Sequence, residues 1–177
     1  PPNAIPGETV TSPALPPIDQ LVLRDTVQPP DAAAVREIVA STGFFSPAEV
    51  DVAVELIDDR LARGAASSYR FVFADHAGRT LGYTCYGEIA CTVGSYDLYW
   101  IAVLAEARGG GLGRRLLVET ERRIAAAAGR RIYVETSSRA QYAPTRAFYE
   151  RCGYDVAAEL PDFYAPGDGK VIFVKAV

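Results

Sequence analysis

Histidine is nearly missing from this chain: His76 is the one in 177 residues. The three cysteines, Cys85, Cys91 and Cys152, are scattered and set no metal-ligand spacing. With so few imidazole and thiolate donors, no zinc or iron site is expected. An odd cysteine count without a secretory leader predicts reduced thiols and a cytoplasmic setting. No apolar run reaches the roughly 18 residues a membrane helix requires, so no membrane partner is expected. Nor is there a basic excess. Net charge is −4 with acids and bases interspersed, which argues against a nucleic-acid partner while allowing a local basic patch around an anionic ligand. Residues 1–17 are rich in proline and lack both the basic region and the apolar core of a signal peptide. They predict a flexible N-terminal arm.

What remains, 18–177, predicts one domain with an ordinary apolar fraction, 49% for the chain. A first strand is expected over Ile18–Arg24. Asp31 is placed to cap a helix carrying Val35, Ile38 and Val39 and ending before Gly43. Ser46-Pro47-Ala48-Glu49 is a second helix start: Ser46 caps, Pro47 fills the first turn and Glu49 closes a capping box. Val50, Val54, Ile57 and Leu61 then share one helical face, up to Gly64. Tyr69–Ala74 and Thr80–Tyr86 flank a turn through His76 and predict a hairpin. Tyr96–Leu104 is a further strand. A helix with Leu112, Leu116, Leu117, Thr120 and Ile124 on one stripe stops at Gly129. A strand over 131–135, a helix over 144–152 and closing strands over 154–160 and 170–175 complete the order. The pattern predicts an α/β (α+β) fold. Its mixed, mostly antiparallel sheet of six to seven strands has helices on both faces and a central parallel βαβ crossover.

The segment Arg108-Gly109-Gly110-Gly111-Leu112-Gly113 lies between the aromatic-rich strand Leu98–Leu104 and the helix that follows. Glycines at a helix mouth let a ligand approach the backbone and leave amide N–H groups free to face it. The helix dipole adds partial positive charge there, which suits a phosphate or pyrophosphate. The glycines lack the G-x-G-x-x-G register of a dinucleotide fold, and no Gly-Lys-Ser/Thr follows as in a P-loop.

Two motifs, in order and on the expected elements, resemble the GNAT superfamily of N-acetyltransferases. One is Trp100-Ile101-Ala102-Val103 running into Arg108-x-x-Gly111-x-Gly113; the other is Ala147-Phe148-Tyr149-Glu150-Arg151-Cys152-Gly153-Tyr154. The likeness covers about 18–176. It implies acetyl-CoA as cofactor, its pyrophosphate cradled by Arg108, Gly109, Gly110, Gly111, Leu112 and Gly113. Arg114 and Arg115 would be side-chain partners, with Arg115 as readily a solvated helix residue. The resemblance further implies that the pantetheine arm pairs with backbone at Ile101, Ala102 and Val103. A backbone N–H there would polarise the thioester carbonyl. Many relatives carry asparagine seven residues before the tyrosine. Here the position is Tyr142, so Tyr142 or Thr145 would replace its contacts to the cofactor.

Tyr149 is the implied general acid, donating to the departing coenzyme A thiolate; the alternative is a core tyrosine. Such help is typically worth about 10²–10⁴-fold in rate. The attacking amine must be neutral, which costs a lysine-like group of pKa about 10.4 roughly 4–5 kcal/mol at pH 7 and an α-amine about 1–1.5 kcal/mol. Glu88 and Glu135 are the leading candidate bases, with Asp97 behind them and a water chain as another route. Covalent catalysis is disfavoured, because Cys152 falls at a helix C-terminus where the dipole opposes a thiolate. Phe44-Phe45, Tyr96, Tyr99 and Phe163-Tyr164 form an aromatic set for the acceptor side. The expected function is transfer of an acetyl group to a primary amine in a ternary complex. The amine would be a small metabolite, amino acid or peptide N-terminus, and the protein a monomer or homodimer. A non-catalytic acyl-CoA sensor of the same fold is the alternative.

Overall fold

The computed structural model describes residues 20–177, so the proline-rich arm and the start of the first predicted strand lie outside the described residues. One sheet carries seven strands: β1 (Val22–Arg24), β2 (Arg70–His76), β3 (Arg79–Glu88), β4 (Ser95–Val103), β5 (Arg131–Ser137), β6 (Asp155–Ala165) and β7 (Asp168–Ala176). Their spatial order is β1-β2-β3-β4-β5-β7-β6, antiparallel except for β4 beside β5. The helices are α1 (Asp31–Ser41), α2 (Pro47–Arg63), α3 (Leu112–Ala126) and α4 (Ala143–Arg151). The expected mixed sheet is present, at the upper strand count.

Adjacent strand residues point to opposite faces, which assigns the helices to layers. Thr84 bonds Thr120 of α3 at 2.7 Å, both fully buried. Tyr149 of α4 packs on Phe173 at 5.7 Å, and Lys175 ties Glu121 of α3 to the Cys152 carbonyl at the end of α4. These contacts put α3 and α4 on one face. On the other, Arg24 lies over Phe73, the cross-strand partner of Tyr83, and holds Asp31 of α1 through two bonds of 2.8 and 2.9 Å.

The buried stripe of α3 is Leu112, Leu116, Leu117, Thr120 and Ile124, as the 3.6-residue period predicts. The α2 capping box forms, with Ser46 accepting from the Glu49 amide and the Glu49 carboxylate accepting from the Ser46 amide. The β2–β3 turn has positive φ at both Ala77 and Gly78, the geometry of a two-residue hairpin. Three details differ from expectation. Asp31 is the first residue inside α1, after Pro30; its carboxylate is drawn inward by Arg24 and also accepts from the Gln28 amide. The buried face of α2 is Val50, Ala53 and Ile57, with Leu61 39% exposed at the far end. Strand β6 runs on through Pro161 to Ala165: pairing with β7 lapses over residues 161–164, where the proline sits, and resumes at Ala165–Asp168.

Candidate active site

The parallel strands β4 and β5 pair at Ser95–Arg131, Tyr96–Ile132 and Asp97–Tyr133, and no further. Beyond Asp97 they part. On its other side β4 stays paired with β3 up to Val103, with a bulge that leaves Tyr99 without a partner between the Cys85–Trp100 and Tyr86–Leu98 pairs. The edge of β4 over Leu98–Val103 that faces β5 therefore carries unpaired backbone groups, which a third extended chain can satisfy. A cleft of about 900 Å³ fills the gap, and Ile101, Ala102 and Val103 line it.

At one end of the cleft lies the glycine loop. Gly109 and Gly111 hold φ of 85° and 81°, so both positions favour glycine. Gly111 is the N-cap of α3 and supplies no side-chain cap. The amides of Gly109–Gly113 donate to no backbone carbonyl among the described residues. Open donors, the positive end of a four-turn helix, and the guanidinium groups of Arg108, Arg114 and Arg151 along the wall fit a diphosphate. Arg108 also lies 5.6 Å over the Phe44 ring. Arg115 does not line the cleft; it reaches the Leu21 carbonyl at 3.5 Å.

Tyr149 lies across from the unpaired edge. Its ring is held edge-on by Phe148 at 5.4 Å and Tyr154 at 5.6 Å, and the residue is 4% exposed while lining the cleft. Burial pushes its phenol well above the ordinary range, so the group carries its proton at neutral pH. Cys152 lines the cleft too, and burial raises its thiol. Cys85 is buried, which raises its thiol well above the ordinary value. Neither is an activated thiolate.

The carboxylates separate. Glu135 lines the cleft and pairs with Lys170 at 2.6 Å. Asp97 sits where β4 and β5 last meet; burial, then the charge of Glu135, raises its pKa. Glu88 ends β3 on an exposed position and is not among the lining residues. Tyr142 and Thr145 line the wall at the start of α4, and Gly110 is the one loop residue that does not. Of the aromatic set, Phe44, Phe45, Tyr99 and Tyr164 face the cleft, whereas Tyr96 is buried in the core.

The structure adds residues that the sequence did not single out. Ser137, Arg139 and Asp168 form a network on the β5 side, with Ser137 donating to Asp168 at 2.5 Å and Arg139 pairing with Asp168 at 3.0 Å. Ser137 and Arg139 also bond each other two residues apart, but Asp168 comes from β7, 31 residues on from Ser137, so no local pattern announces the network. Thr136 also lines the cleft, its hydroxyl buried and without a partner among the described residues.

Residues 67–156 match a family model described as an acetyltransferase (GNAT) domain. A solved structure from Desulfovibrio desulfuricans, assigned to the GNAT family of acetyltransferases, is 48% identical with a TM-score of 0.87, over 88% of this chain and 98% of that one. Blasticidin-S acetyltransferase of Streptomyces morookaense is 40% identical over 79 residues, 45% of this chain and 54% of that protein. That match thus spans about half the length of the relative. A GNAT family acetyltransferase from Elizabethkingia anophelis, solved with acetyl-CoA bound, shares the fold at 14% identity and a TM-score of 0.64, over 90% of this chain and 99% of that one.

Proposed function

The chain belongs to the GNAT acetyltransferases, and from that premise we propose that it acetylates a primary amine by direct attack, with Tyr149 as general acid. Membership makes it an enzyme that uses acetyl-CoA, which sets aside the non-catalytic sensor. The observation that carries the mechanism is the parting of β4 from β5 opposite a buried, protonated Tyr149. Acetyl-CoA supplies an acetyl group on a thioester and leaves as a thiolate.

The chain's own residues divide the work. The amides of Gly109–Gly113, with Arg108 and Arg114, would hold the diphosphate. The edge at Ile101–Val103 would hold the extended arm by backbone pairing, with Tyr142 and Thr145 on the opposite wall. Tyr149 would give its proton to the leaving sulfur. Glu135, the leading candidate base that lines the cleft, would take the proton of the attacking amine directly or through water; Glu88 stands outside the lining.

Two measurements test this reading. Calorimetric titration with acetyl-CoA should show binding that Gly111→Glu abolishes, because bulk and negative charge then occupy the anion site. Undiminished affinity in the variant would move the cofactor elsewhere. A thiol-release screen against amino acids, polyamines, aminoglycosides, blasticidin S and short peptides identifies the amine. Blasticidin S is included because one relative bears that activity in its name.

A further inference from the structure

Strand alternation gives the two sides of the seam different chemistry. Val134 pairs with Phe173, on which Tyr149 packs, so Val134 and Thr136 face the side that Tyr149 occupies. Glu135, between them, points to the opposite side and still lines the cleft. The acid and the candidate base therefore meet the gap from opposite faces of the sheet.

Lys170 shares the Glu135 face. Its strand partner is Ser137, two residues beyond Glu135, which makes Lys170 and Glu135 diagonal neighbours across β5 and β7. The ammonium reaches Glu135 Oε2 at 2.6 Å, the one carboxylate within ion-pair distance of it among the described residues. The two members are unequally placed. The lysine side chain is 12% exposed and the glutamate side chain 49%, so the cation is the enclosed member and the carboxylate the one offered to the cleft. Aromatic faces complete the enclosure: Phe163 at 3.8 Å and Tyr164 at 5.7 Å, both from the stretch 161–164 where β6 leaves its pairing with β7. Lys170 itself does not line the cleft.

As a device for stability this pair is poor. Enclosing an ammonium is costly, and an ion pair with one half-exposed member returns little. As a device for orientation it is good, because a half-exposed glutamate left alone would turn among rotamers. A base must be held in register with the nitrogen it serves. The ammonium fixes Oε2, while Oε1 has no partner among the described residues.

We infer that Lys170 is a positioning residue for the transfer: pinned beneath Phe163 and Tyr164, it holds one oxygen of Glu135 and aims the other at the attacking nitrogen. This rests on the acetyltransferase reading above, with Glu135 as base. The proton that the nitrogen sheds goes to Oε1, directly or through water. Lys170 keeps its own protons and touches neither amine nor thioester.

The test is thiol release from acetyl-CoA, with the amine of the screen above that is turned over fastest and with water alone as acceptor. Lys170→Met keeps an apolar stem beneath Phe163 and leaves behind a half-exposed carboxylate that water solvates, so the fold is expected to stand. It should lower kcat about tenfold or more, with the KM for acetyl-CoA within about twofold of wild type. Lys170→Arg, which can still pair with Glu135 and stack on Phe163, should recover kcat to within about threefold. In the Glu135→Gln background Lys170→Met should cost less than about twofold more, because the group it serves is already gone. Phe163→Leu, at a half-exposed site, is the milder variant: it loosens the ammonium and should lower kcat in the same direction. An unchanged kcat in Lys170→Met, an arginine variant as slow as the methionine one, or losses that multiply in full with Glu135→Gln would overturn the inference while acetyl-CoA binding stood. Wild-type kcat in Glu135→Gln would overturn it as well, by removing the base. No thiol release with any amine or with water would remove the parent reading and this one with it.

Discussion

Tyr149 shows what a single side chain contributes here. Its ring is fixed by Phe148, Tyr154 and Phe173, so deleting only the hydroxyl leaves the packing in place. Tyr149→Phe is expected to lower kcat by about 10²-fold or more, with the acetyl-CoA Kd nearly unchanged. Pre-steady-state thiol release beside calorimetry would check it, and equal turnover would return Tyr149 to the core. The residue was legible because its motif is local. Glycine positions that demand positive φ were legible for the same reason. Thr136, Ser137 and Arg139 were not: a threonine or serine in a strand carries no mark of the cleft it borders. Asp97 was legible as a third candidate base behind Glu88 and Glu135; its place at the last β4–β5 pair is a property of the fold.

At the scale of elements, α3 was the most readable because amphipathic period, glycine entry and glycine exit all agree. Its one buried polar position makes a sharp prediction. Thr120 donates to the Leu116 carbonyl at 2.9 Å, so the bond between the two threonines takes its proton from Thr84. Thr120→Val therefore strands the fully buried Thr84 hydroxyl and should cost about 1–3 kcal/mol. Thr84→Val leaves Thr120 bonded within its own helix and should cost less, about 1 kcal/mol. In denaturant titrations the double variant should be milder than the sum, and strict additivity would contradict the shared bond. Strand β6 was the least readable element. Its proline and glycine cluster suggests a loop, yet the hairpin pairing with β7 resumes at Ala165–Asp168 beyond the irregularity and keeps the segment extended. The parting of β4 from β5 lies beyond sequence patterns, since the continuous apolar run Leu98–Val103 reads as a strand whether or not its far edge is paired.

For the molecule as a whole, the hairpin, the parallel crossover and helices on both faces followed from the element order, while the insertion of β7 between β5 and β6 and the cleft arise only when the sheet is assembled. Asp97, partly buried where β4 and β5 last meet, should be felt in global stability. Because Asp97 titrates above its ordinary value of 3.8 in the folded state, the native protein holds that proton more tightly than the unfolded chain does. Stability then falls as pH rises from about 3.8 through the native pKa and carries a constant penalty above it. Asp97→Asn should raise Tm at neutral pH and lose that advantage in acid; thermal scans across pH decide, and a lower Tm at neutral pH would contradict the sign. The open seam between β4 and β5 has a consequence for the protein's life in a cell. With the acetyl donor bound along that seam as proposed, the fold should resist unfolding more as the donor's supply rises, by about 2.7 kcal/mol at a hundredfold excess over Kd. Resistance to proteases should accordingly track the nutritional state that sets the acetyl donor's abundance.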